Sequence, residues 1–122
     1  MKVLRIGIAP AAAIKARATA VPKGGKPKPG EPDIWFDSAQ RIGRLIDNNW
    51  LLLREIRRRP PESITALAKR MGLPPPNVTA ALKALELRGL VSSEKGEIKS
   101  SRRPVVSYDR IELLIAPFVD SA

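Results

Sequence analysis

Cysteine and histidine are both missing from this chain. Their absence excludes disulfides, thiolate nucleophiles, thiol-based oxidant sensing, zinc ribbons, zinc fingers and imidazole acid–base chemistry. The acids Glu94, Glu97, Asp109, Glu112 and Asp120 lie scattered with no partner base in the pattern, so no enzyme, metal site or cofactor is expected. Aromatic residues are only 4% of the chain, so a core must be built from Leu, Ile, Val and Ala. The same scarcity leaves no platform for stacking RNA bases. No apolar run approaches the roughly 20 residues that span a bilayer. In MKVLRIGIAPAAAIKARATA, Lys2 and Ala18-Thr19-Ala20 mimic the ends of a secretion signal, but Arg5, Lys15 and Arg17 interrupt its apolar stretch. The expectation is a soluble, cytoplasmic protein without membrane contact.

Acid is absent from residues 1–30, which carry seven Lys and Arg. They therefore hold most of a net charge of +10, with a pI near 10.7. Such an excess most commonly faces nucleic acid, then an anionic membrane or an acidic protein. At 122 residues and 43% hydrophobic content the chain can fill one modest core.

Residues 2–9 alternate, with Leu4, Ile6 and Ile8 on one side and Lys2 and Gly7 on the other, which predicts a half-buried strand. PAAAIKARATA (10–20) can form a short basic helix. PKGGKPKPG (22–30), where Gly and Pro alternate with Lys, reads as a charged linker, and Ile34-Trp35-Phe36 as a short anchor strand. Ile42, Leu45 and Ile46 make a short helical stripe. Asp47 or Asn48 then caps a second helix from about Asn49 to Arg58, with Trp50, Leu53 and Ile56 inward and Arg57–Arg59 at its end. After Pro60-Pro61, Ser63 caps a helix carrying Ile64, Leu67, Ala68 and Met71. Gly72 ends it in a left-handed turn. Pro75 or Pro76 opens the next helix, whose Val78, Ala81, Leu82 and Leu85 repeat the spacing before Gly89. Leu90-Val91, a turn at Lys95-Gly96, Pro104-Val105-Val106 and the alternating Ile111, Leu113 and Ile115 suggest a hairpin and a last strand.

Two short amphipathic helices joined at a glycine are a helix-turn-helix pattern. Ala68 lies where the helices cross closely, Val78 plugs the second onto the first, and Leu67, Met71 and Leu73 fill between them. The bland alternative is an ordinary helical hairpin in a core. Gly24-Gly25-Lys26 lacks the spacing of a phosphate-binding loop, and Asn77-Val78-Thr79 is a chance glycosylation sequon inside a helix. Tyr108-Asp109 is expected to pin the last strand to the wing by packing.

The stretch PESITALAKRMGLPPPNVTAALKALELRGLVS, followed by RRPVVSYDRIELLI, resembles the MarR-like winged-helix transcriptional regulator family of bacteria and archaea, which includes antitoxin-like members. RIGIA, KARA and the WF-S element extend the resemblance over nearly the whole chain. It implies an α+β winged helix-turn-helix: residues 1–36 as strand, basic segment and anchor strand, 37–115 as the domain, and 116–122 as a tail. Within the domain the helix-turn-helix covers 62–89, the wing 90–108 and the last strand 110–115. It also implies a DNA-binding regulator whose recognition helix covers about 75–88. The chain departs from the family in placing Ala80 and Ala81 after Asn77-Val78-Thr79, where polar or basic residues are usual. Base contacts are thus expected only from Asn77, Thr79 and Lys83, with phosphate contacts from Lys69, Arg70, Arg88, Lys99, Arg102, Arg103 and the basic arm. The strands at 3–8 and 111–115 are expected to pair with each other and with a second subunit, making a homodimer. A protein-interaction module, such as an antitoxin that neutralises a toxin, competes with this reading because Ala80, Ala84 and Leu87 point outward.

Overall fold

The computed structural model describes residues 2–20, 31–95 and 102–115. It is a small α+β protein whose elements run β1 (Val3–Ile8), α1 (Ala11–Ala20), β2 (Ile34–Phe36), α2 (Ala39–Arg58), α3 (Ile64–Met71), α4 (Pro75–Leu87), β3 (Ser92–Lys95), β4 (Arg102–Val105) and β5 (Arg110–Leu114). They divide into two compact units, one of Met1–Arg44 with Tyr108–Ala122 and one of Leu45–Ser107. The linker expected at 22–30, Lys99, Gly96 and the 116–122 tail lie outside the described residues.

The first unit holds a three-stranded sheet in the order β2-β1-β5, parallel throughout. Leu4, Ile6 and Ile8 share a face with Ile34, Phe36, Ile111 and Leu113, because residues in register project to the same side. Ile6 and Phe36 are buried there. On the other face Gly7 stands beside Trp35. A Cβ at Gly7 would lie 2.6 Å from the Trp35 ring and 2.7 Å from Pro32 Cγ, so this position has room only for hydrogen. Two aspartates start the outer strands in the same way. Through Oδ2, Asp33 accepts the backbone N–H of Arg5 in β1 (2.9 Å) and Asp109 that of Lys2 just before β1 (2.8 Å). Each also donates its own backbone N–H to the carbonyl of the same residue, at 2.8 and 2.7 Å. Asp109 thus ties β5 to the start of β1.

The pairing of the 3–8 and 110–115 segments is present, but β2 takes the other edge of β1. Among the described residues no strand pairs with the outer sides of β2 and β5.

The second unit is built from the rest of α2, then α3, α4 and the antiparallel hairpin β3–β4. The break expected near Asp47 does not occur, and α2 is one helix of 20 residues. No Gly or Pro interrupts it between Arg44 and Arg58, and Asn49 Nδ2 is absorbed by donating to the Leu45 carbonyl at 2.9 Å. Continuity fixes the phase. Ile42, Leu52, Leu53 and Ile56 are buried, whereas Trp50 falls about 100° per residue off that stripe and is exposed rather than inward. Ile42 belongs to the first unit; with Leu52, Leu53 and Ile56, the residues Leu67, Ala68, Val78, Leu82, Leu85, Leu90, Val91 and Val106 make up the buried aliphatic set of the second. Met71 is half-buried and Leu73 exposed, so of the three residues expected between the helices only Leu67 is fully enclosed. Pro104 is buried inside β4, tolerated because every strand of a two-stranded ribbon is an edge.

Candidate nucleic-acid interface

The geometry of α3 and α4 follows from their ends. Ser63, in extended backbone, accepts the Ala66 N–H on Oγ at 3.0 Å and so satisfies one of the helix's free donors. At the other end Gly72 adopts φ +68°, and the Leu73 N–H reaches the Ala68 carbonyl at 3.0 Å while the Gly72 N–H reaches Lys69 at 3.2 Å. This pair of bonds closes the last carbonyls and reverses the chain. Pro74 then supplies the first carbonyl of α4, accepting from Asn77 and Val78, and Pro75 and Pro76 sit where a missing N–H costs nothing. Ala68 has no exposed surface, consistent with a crossing of α3 and α4 that leaves no room for a longer side chain.

With Val78, Leu82 and Leu85 committed to the core, α4 presents its opposite side to solvent. Asn77, Ala80, Lys83, Ala84 and Leu87 are exposed there, Leu87 to 82%, and Thr79 is half-buried at the margin. Lys83 is the charged group at the centre of this face. Glu86 leans away, accepting from Ser93 Oγ at 3.1 Å.

The flanking cations fall into three groups. Arg70 is a strut: Nη1 donates to the Arg59 carbonyl at 2.7 Å and to Glu55 Oε1 at 3.1 Å, and its side chain is only 26% exposed. Arg103 is paired with Glu94 at 3.0 Å, and Arg88 is exposed but engaged in an interaction of its own. Lys69, Lys83 and Arg102 are exposed and carry no ion pair among the described residues. One cation was hidden by reading Lys95 as part of a turn. It is the last residue of β3, and the register sets it directly opposite Arg102. Two like charges facing across a ribbon repel unless an anion lies near them. Among the described residues no acid pairs with either.

Elsewhere, Tyr108 is half-buried, and loss of solvent pushes its hydroxyl up to about 12. Among the described residues no three His, Cys, Asp or Glu side chains gather as metal ligands, and no helix is long and apolar enough to cross a membrane.

No curated protein and no solved structure matches the chain. The sequence profile of the HVO_A0114 family does, over residues 44–113, which takes in the whole second unit and most of β5. Since that is more than half of its 122 residues, the chain belongs to the HVO_A0114 family.

Proposed function

We propose that this chain is a cytoplasmic DNA-binding transcriptional regulator without enzymatic activity or cofactor. In this reading α3 and α4 form a helix-turn-helix, α4 lies in the major groove, and the β3–β4 hairpin is a wing against the phosphates. The observation that carries it is the Lys95–Arg102 register pair, two cations without an acidic partner among the described residues, on a hairpin that follows α4 within the same unit. That unit contains twelve Lys and Arg against six Asp and Glu. The resemblance of its sequence to MarR-like regulators points the same way. Lys69, Lys83 and Arg88 add phosphate or base contacts, Asn77 and Thr79 polar ones, and Ala80 and Leu87 apolar contact with thymine methyl groups. Arg70 and Arg103 contribute less, since each already has a carboxylate. The protein acts as a homodimer on a pseudo-palindromic site.

A second reading, an antitoxin-like module for a partner protein, is favoured by the exposed stripe Ala80, Ala84 and Leu87. Fluorescence anisotropy on a duplex from the protein's own promoter and on a scrambled duplex separates the two. We expect binding below about 100 mM salt, with log K falling against log salt by about 0.9 per phosphate contact. Replacing Lys95 and Arg102 together by Ala should lower that slope by up to about two and weaken both duplexes alike. Thr79→Ala or Lys83→Ala should instead reduce preference for the promoter duplex by about 1–3 kcal/mol. A parent protein that ignores both duplexes at low salt leaves the partner-protein reading in its place.

A further inference from the structure

Helix α2 has a second organised face. Opposite its buried stripe run Gly43, Asp47, Trp50, Leu51, Arg54 and Arg58, spaced three or four apart on one side of the helix. Trp50 is 56% exposed and Leu51 65%, side by side at the centre. Asp47 and Arg54 flank them, both exposed, and neither side chain has a partner among the described residues. Gly43 sits in the helix interior, where glycine weakens a helix, yet a Cβ there would meet nothing within 4 Å. Among the described residues nothing explains that glycine, and nothing covers the Trp50–Leu51 pair.

The stripe is complementary to itself. A two-fold axis between Trp50 and Leu51 sets Trp50 of one copy against Leu51 of the other. The same axis sets each Asp47 against an Arg54, and each Arg58 over the small Gly43. Arg57, which would add like charge, is held aside by donating from Nη1 to the Val106 carbonyl at 3.3 Å. A parallel arrangement would instead oppose Asp47 to Asp47 and Arg54 to Arg54. Both the charge order and the placement of the small residue therefore select an antiparallel pair.

We propose that this face of α2 is a homodimer contact, in which two copies pack antiparallel about Trp50 and Leu51 with reciprocal Asp47–Arg54 ion pairs. An isologous contact of this kind matches residue i to j and j to i. It does not depend on the DNA-binding reading, although, where that holds, it supplies the two-fold that a pseudo-palindromic site requires.

Sedimentation equilibrium of the full chain without nucleic acid tests it. We expect a monomer–dimer equilibrium with a dissociation constant below about 300 µM. Asp47→Arg and Arg54→Asp should each weaken self-association at least about tenfold, and the double exchange should restore it to within a few-fold. An equimolar mixture of the two single variants should form heterodimers, since one then carries both cations and the other both anions. Trp50→Ala with Leu51→Ala should abolish dimers without any change of charge, and circular dichroism melts of all variants should match the parent because every site is exposed. A parent that stays monomeric at about 300 µM overturns the proposal. So does a dimer that neither exchange weakens, or a mixture that fails to associate. Duplex binding by each variant is scored separately, so lost self-association with retained half-site binding tells failure of this contact from failure of the regulator reading.

Discussion

Gly7 and Trp35 show how much one hydrogen atom can decide. The indole lies over the glycine of the neighbouring strand, and a methyl group in its place would meet ring carbons and Pro32 well inside contact distance. Gly7→Ala should therefore destabilise the protein by about 1–3 kcal/mol, the usual cost of overpacking. Trp35→Ala should itself be costly, yet in its background Gly7→Ala should cost less than half as much, which a double-mutant cycle of thermal melts measures. Equal cost in both backgrounds would show that Pro32 or the backbone, rather than the indole, sets the limit. Arg70 carries the opposite lesson. Its basic side chain at a helix end suggested a phosphate contact, but the Glu55 carboxylate and the Arg59 carbonyl already occupy its guanidinium. Those partners come from a different helix and its exit, 15 and 11 positions away, so no local pattern reveals them.

Among the elements, α3 and α4 depend on the close crossing marked by Ala68 and on the burial of Val78. Ala68→Leu should cost about 1–3 kcal/mol by overpacking, and Val78→Asp more, since it buries an unpaired charge. Urea melts that leave both variants at the parent midpoint would show that neither position is core. These two helices were legible in the sequence because their signals are local: a serine cap, a left-handed glycine, prolines in a first turn, and apolar residues at helical spacing. Of the apolar filling, Leu67 was placed correctly and Leu73 was not. Helix α2 was less legible, because Asp47-Asn48-Asn49 reads as a cap when taken alone. Only the unbroken phase from Ile42 to Ile56 shows that these polar residues lie within one helix, and that phase moves Trp50 outward. The sheet order was legible least. Alternation identified β1 and β5 as strands and their short apolar faces suggested that they pair, but the parallel sense of that pairing and the place of the three-residue β2 on the other edge of β1 leave no local mark. Lys95 went unnoticed for the same reason, since its opposition to Arg102 is a property of register.

At the scale of the whole molecule, the two units differ in how the chain supplies them. Leu45–Ser107 is a single uninterrupted stretch, whereas the other unit joins Met1–Arg44 to everything after Ser107. β1 is the middle strand of its sheet, and one of its two neighbours, β5, lies over 100 positions further along the chain. Contacts so distant in sequence form slowly, because the loop must close before they yield any stabilisation. During synthesis β1 must wait, with one edge unfilled, until Arg110–Leu114 arrives, and an unfilled apolar strand is open to the wrong partner. Pulse-labelled hydrogen exchange on refolding should accordingly protect the amides of α3 and α4 before those of β1 and β5; simultaneous protection would mean that the two units fold as one. β1 is thus expected to be among the last segments to find its place, which makes the interval before β5 is available the one in which this sheet is most exposed to misassembly.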